Sequence, residues 1–167
     1  MFSSSNDDGA NDPIVPAGLH LASFGRRAGG VILDQLLVSG CVFLGFLIAG
    51  YAPDEALTDG RALWFSVASV AWGLVYETVP VWRWGRTLGK LLFRTRVVRV
   101  EDGGGLGLVR AFQRSLVPTA LSAVPAVGPI LGLGVYIWAF FDPLRQGIHD
   151  KAAGSLVVTG HPVLDQA

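Results

Sequence analysis

Residues 28–51 read AGGVILDQLLVSGCVFLGFLIAGY, and a single charge, Asp34, interrupts these 24 residues. About 20 consecutive apolar residues suffice to cross the hydrocarbon core of a bilayer. The stretch therefore predicts a transmembrane helix with a carboxylate inside it. Working outward, an acidic loop follows, with Asp54, Glu55 and Asp59 against Arg61. A second span is predicted over residues 63–82, LWFSVASVAWGLVYETVPVW, interrupted only by Glu77. Trp64, Trp82 and Trp84 sit near its ends, where interfacial aromatic belts place tryptophan.

A basic stretch comes next, with Arg83, Arg86, Lys90, Arg94, Arg96 and Arg99. Lysine and arginine accumulate on the cytoplasmic side of membrane proteins, so this loop is predicted to be cytoplasmic. Arg26 and Arg27 put the N-terminus on the same side, and the acidic loop between the spans falls outside. Within the basic loop, FRTRVVRV (residues 93–100) alternates basic and apolar residues before the turn EDGGG, which predicts a strand entering a hairpin. In GLGLVRAFQRSL, Leu108, Phe112 and Leu116 recur at helical spacing, with Arg110 and Arg114 on other faces. That pattern predicts a helix on the cytoplasmic membrane surface.

The third hydrophobic stretch, residues 115–141, is free of charge but broken by Pro118, Pro125 and Pro129. One bent span and a re-entrant hairpin turning at PAVGP both fit. After it, SLVVTG (residues 155–160) reads as a second strand. If it pairs with the first strand, both lie on one side of the membrane, which requires the hairpin. Arg145 and Lys151 also favour the cytoplasmic side, so the hairpin is the preferred reading.

Composition agrees. Mean hydropathy is +0.48 and charged residues make up 16%, against a usual share of about 25%. A net charge of zero offers no basic excess for nucleic acid. The single cysteine, Cys41, excludes an internal disulfide framework. The first residues, with Asp7, Asp8 and Asp12 and no early basic cluster, do not read as a cleavable signal. Residues 1–18 are expected to be a disordered tail, and the first span an uncleaved anchor.

Three motifs in order carry a family resemblance: RRAGGVILD (residues 26–34), GRTLGKLLFRTRVV (85–98) and RQGIHDKAAGSLVV (145–158). Together they resemble the RDD family of bacterial membrane proteins, over roughly residues 20–160. The family is named for an arginine and two aspartates. The resemblance matches them to Arg27, Asp34 and Asp150, and Ser155 stands where the family's closing motif has threonine. It implies a membrane protein of unsettled role, for which ion or ligand transport is the usual suggestion.

Four residues are the candidate ligand or ion site: Arg27, Asp34, Glu77 and Asp150. A carboxylate at membrane depth costs roughly 2.5–3.5 kcal/mol even on lenient insertion scales. Asp34 therefore needs a partner, a wet cavity or a proton. Arg27 lies two turns back on the same helix face, about 10 Å along the axis. A bridging water or another cation is expected to complete that gap, and a purely structural pair is the alternative. Glu77 lies six residues before Arg83 on the inward-running span, at the depth of Asp34. The two acids could share a proton or hold a cation, or Glu77 could bond to Arg83 or Arg86 at the headgroups. Asp150 could bond to Arg27, Arg110 or Arg114 and tie the tail to the loop. Lys90 in GRTLGK resembles a phosphate loop, but the spacing is one residue short and Leu91 replaces the Ser or Thr.

The sequence thus predicts an all-α membrane protein with two transmembrane helices, a third proline-broken membrane segment and a small cytoplasmic β element. Its domains are a tail over residues 1–18, a membrane domain over 19–160 and a C-terminal tail over 161–167. The expected location is the cell (inner or plasma) membrane, multi-pass, with the N-terminus cytoplasmic. The bilayer is the expected partner, with anionic lipids at the basic loop and self-association or a membrane partner. No catalytic set, metal spacing or cofactor fingerprint appears in the sequence, so no enzyme is expected. Two functions compete: participation in ion or solute transport, and a non-transporting assembly role with structural Arg/Asp pairs.

Overall fold

The computed structural model describes residue 15 and residues 19–50, 61–122 and 127–160. Residues 1–14, 16–18, 51–60, 123–126 and 161–167 lie outside the described residues, and with them the predicted tails but for Val15, the acidic loop and the first two residues of the PAVGP turn. In chain order the elements are β1 (Leu19–Leu21), α1 (Phe24–Ile48), α2 (Arg61–Trp84), α3 (Leu88–Leu92), β2 (Arg96–Arg99), α4 (Leu108–Ser122), α5 (Gly128–Ile137), α6 (Ile148–Ala152) and β3 (Ser155–Gly160).

The 25 residues of α1 span about 37 Å at 1.5 Å each. Ser23 caps the start, accepting the Arg26 N–H, and Gly50, at φ +81°, lies just past the end. Among the described residues α1 alone is long and apolar enough to cross a membrane by length and composition. The second predicted span is also helical, as the 24-residue α2.

The predicted strand pairing is present, and β1 extends it. The sheet order is β1-β3-β2, antiparallel throughout, with Arg96 opposite Val158 and Leu19 opposite Gly160. Because side chains alternate across a sheet, Val97 and Val157 face one way and Val98, Leu156 and Val158 the other. The first pair joins Val81, Ala111 and Ala153 against the helices; the second set packs with Leu19 and Leu144. Residues 97 and 98 are thus both buried, which a simple basic/apolar alternation does not describe.

β2 precedes α4, and β3 follows α5 and α6. Pairing of β2 with β3 therefore brings the third hydrophobic stretch back to where it began. Helices α4 and α5 pack against each other, and α4 also packs against α2 and α6. This is the path that the hairpin reading requires.

The helical part has an inverted distribution of polarity. Ile32, Leu36, Trp64, Leu92, Ile130 and Phe141 are among many apolar residues left exposed, with Trp64 at 71%. The buried residues there include Asp34, Lys90, Arg114, His149 and Asp150. Contiguous apolar surface of this kind marks a contact with lipid or with protein.

Candidate functional site

The buried charges form a continuous chain across five helices, α1, α2, α3, α4 and α6. At one end Arg27 of α1 donates from Nη1 to Asp150 Oδ2 at 3.3 Å and from Nη2 to the Val157 carbonyl at 3.1 Å. Arg27 thereby ties the first helix to both α6 and β3. Asp150 also accepts from Arg114 Nε at 2.9 Å, from Ser155 Oγ at 3.3 Å and from the Gly147 N–H at 3.2 Å. Arg114 Nη1 reaches on to Glu77 at 2.7 Å. Glu77 shares Lys90 with Asp34, the ammonium lying 3.5 Å from the first and 3.4 Å from the second. Three cations, Arg27, Arg114 and Lys90, thus face three carboxylates, Asp150, Glu77 and Asp34.

Asp34 is fully bonded. It accepts from Tyr76 Oη at 2.7 Å, Thr87 Oγ1 at 2.5 Å and the Gly89 N–H at 2.8 Å, besides Lys90. The G-x-T-x-G-K segment builds this nest. Thr87 caps α3 by accepting the Lys90 N–H, and the short helix aims the Gly89 N–H and the Lys90 ammonium at Asp34 of α1. Gly89 is obligatory there: a Cβ would collide with the Gly30 carbonyl and come within 2.8 Å of the Asp34 carboxyl. Gly89 thus serves the close approach of α1 and α3.

On α6, burial and neighbours move the adjacent His149 and Asp150. Burial alone would raise the Asp150 carboxyl, but His149, Arg114, Arg27 and the Gly147 amide outweigh it and hold it well below the usual carboxylate range. Burial pushes His149 down to about 4, against the pull of Asp150, so the imidazole is neutral at pH 7.

The four candidate residues therefore lie on one network, with some of the partners the sequence suggested and not others. Arg27 does not pair with Asp34; it pairs with Asp150, and Lys90 is the cation at Asp34. A separation of two helical turns was too long, and α3 and α6 each supplied a nearer partner. Glu77 bonds to Arg114 and Lys90 instead of Arg83 or Arg86, because it faces the helix interior. Of the proposed ties of Asp150, those to Arg27 and Arg114 form, while Arg110 pairs with Glu101 at 2.9 Å. Arg114 is buried, not displayed on a surface helix. Tyr76, Thr87 and Lys90 were missed as site residues, and Arg114 was expected only as a possible partner of Asp150. Thr87, Lys90 and His149 stand within the quoted motifs; nothing in its local pattern marks Tyr76.

Two cavities flank the network, in series along α1. A polar one of about 580 Å³ is lined by Asp34, Gln35, Ser39, Tyr76, Glu77 and Thr119, among others. An apolar one of about 280 Å³ lies on the sheet side, against Phe24, Ala28, Ile137 and Phe140. Val31, Lys90 and Tyr136 line both, so Lys90 stands at the wall between them.

An apolar exterior around a neutralised charge network, carried on at least one membrane-length helix, defines a helical membrane protein. The RDD family matches residues 21–154, and the chain belongs to that family. The match contains Arg27, Asp34, Glu77 and Asp150 together with Lys90 and Arg114. Comparison with curated proteins and with solved structures finds no match.

Proposed function

We propose that this chain is a multi-pass protein of the cell membrane that takes part in moving a monovalent cation or protons. The supporting observation is Lys90, held between two carboxylates at the wall of the polar cavity. Its contacts, at 3.4 and 3.5 Å, are looser than the 2.7 Å bond of Arg114 to Glu77. A cation entering the cavity can take the place of the ammonium without leaving either acid unbalanced. A proton on Asp34 would release Lys90 in the same way. The role is binding and passage, not catalysis.

On this reading α1 and α2 both span, α4 and α5 enter the bilayer and return, and the sheet faces the cytoplasm with the basic loop. Anionic lipids meet the exposed Arg83, Arg86 and Arg94. So few helices do not enclose a path alone, and self-association completes its walls. The test is flux in liposomes. Purified protein should carry a cation or proton current that Asp34→Asn abolishes while the variant still folds. Equal flux with and without protein would refute the reading.

A second reading is favoured by one observation: every acid of the network already has protein donors. The charges would then only fasten the helices to the sheet, in a non-transporting assembly protein. It gains if Asp34→Asn lowers yield and a partner co-purifies with no intrinsic flux.

A further inference from the structure

The three carboxylates of the network are not equally bonded. A carboxylate offers about four lone-pair sites. Asp34 takes donors from Tyr76, Thr87, Lys90 and the Gly89 N–H. Asp150 takes them from Arg27, Arg114, Ser155 and the Gly147 N–H. Glu77 has only Arg114 and Lys90, and both bond to Oε1. Among the described residues Glu77 Oε2 accepts no hydrogen bond, and it is not a buried atom. The Glu77 side chain is also the most open of the three, at 23% against 12% for Asp34 and 1% for Asp150. It lines the polar cavity. The neutrality of the network as a whole thus leaves one carboxylate oxygen facing that space without a donor.

The rest of the lining selects what can meet it. A hydroxyl has one proton to give. Tyr76 and Thr87 spend theirs on Asp34, and Thr119 spends its own on the Ser115 carbonyl. What these three retain is lone pairs. The charged residues of the lining are Asp34, Glu77 and Lys90, two acids against one cation. Gln35 and Ser39 are exposed and offer donor and acceptor alike. A positively charged ligand with several N–H donors matches this wall, and an anion does not. The wall already accommodates such a group: the Lys90 ammonium lies 3.3 Å from Thr87, 3.4 Å from Asp34 and 3.5 Å from Glu77.

Size separates an organic cation from a bare ion. The cavity, at about 580 Å³, falls within the range of ligand pockets, about 300 to 1,000 Å³. An alkali ion or a proton would leave most of it unfilled. Val31, Val38 and Val70 also line it and give a short hydrocarbon chain an apolar surface.

We infer that the polar cavity binds a small organic ammonium ion, a protonated primary amine. Its N–H groups bond to Glu77 Oε2 and to hydroxyl oxygens of the same cavity, and its short hydrocarbon part lies on the three valines. This inference rests on the cation reading above and names the class of cation.

The experiment titrates the full chain in neutral detergent with butylammonium chloride, followed by calorimetry and thermal shift. Tetramethylammonium chloride, which has the charge but no N–H, and sodium chloride are compared at equal ionic strength. Butylammonium should bind saturably and raise the Tm, with the other two cations weaker by about tenfold or more. Glu77→Gln should weaken butylammonium binding by a similar factor. Gly73→Leu reaches into the cavity without touching the charges, since a Cβ at Gly73 would meet only the Val38 side chain, at 3.8 Å. It should fold and lose binding, and it carries the test if Glu77→Gln fails to fold. The inference is overturned if butylammonium shows no saturable binding, or if sodium or tetramethylammonium binds as tightly. It is also overturned if Gly73→Leu, or a folded Glu77→Gln, binds as the parent does. Butylammonium binding without any cation current would leave this inference standing and refute the transport reading. A sodium or proton current without butylammonium binding would do the reverse.

Discussion

The sheet and the helical cage solve opposite burial problems. In the sheet, Val97, Val98, Leu156 and Val158 are buried, and the charged pairs Arg99–Asp102 and Arg110–Glu101 lie exposed beside it. In the cage, Asp34, Lys90, Arg114 and Asp150 are buried, while Leu36, Trp64 and Ile130 face out. Water around the first region rewards charge outside and hydrocarbon inside. A lipid surrounding removes that reward, and a charge facing it lacks any donor or acceptor, so it turns inward and pairs. The same chain thus uses charge as surface in one place and as core in the other.

The largest effect should come from breaking the charged core. Arg114→Met leaves Glu77 and Asp150 without their shared cation. Removing one member of a buried pair costs about 3–5 kcal/mol. The expected outcome is little folded protein, read as yield and Tm in detergent, with partial recovery in Arg114→Met combined with Glu77→Gln. Full stability of the single variant would mean that the cage does not depend on its charges.

Truncating an apolar residue should then separate the two regions. Leu156→Ala, at a fully buried sheet position, should destabilise by about 2–5 kcal/mol. Leu36→Ala, 66% exposed on α1, should leave the Tm of the detergent-solubilised protein nearly unchanged. Similar losses for both would erase the contrast.

A pH titration sharpens the junction between the regions. His149 touches Tyr136, at 4.7 Å between rings, and Arg114, and it lies beside Asp150, with Glu77 and Lys90 also in its field. Its pKa is lower folded, about 4, than the ordinary 6.5. Its contribution is therefore fully present above pH 6.5 and is lost as pH falls from there through 4. Thermal stability should decline across that window, and His149→Gln should flatten the decline. The smallest effect is expected at the exposed pairs, where Glu101→Gln should leave the Tm unchanged within error.

Much of this was legible in the chain itself. The 24-residue run with one acid specified α1. The paired valines before a glycine turn and the final SLVVTG specified two strands, and their pairing required the third stretch to return. The strand β1 was not legible, because three residues carry no usable period. The partners were not legible either. Asp34 and Glu77 stood out as charges inside apolar runs, and Arg27 and Asp150 through the family motifs. Which cation each acid meets depends on how α3, α4 and α6 pack against α1 and α2.

The sequence by itself determined that this is an RDD-type chain with acids set into apolar helices, because length, hydropathy and motif order are properties of the linear chain. Only the tertiary structure decided that Lys90 and Arg114 join those acids into one network, and that Arg27 serves Asp150. The physical reason is reach. Ion pairs form over 3–4 Å, and residues 56 and 123 positions apart in the chain meet at that distance only after the helices close on the sheet.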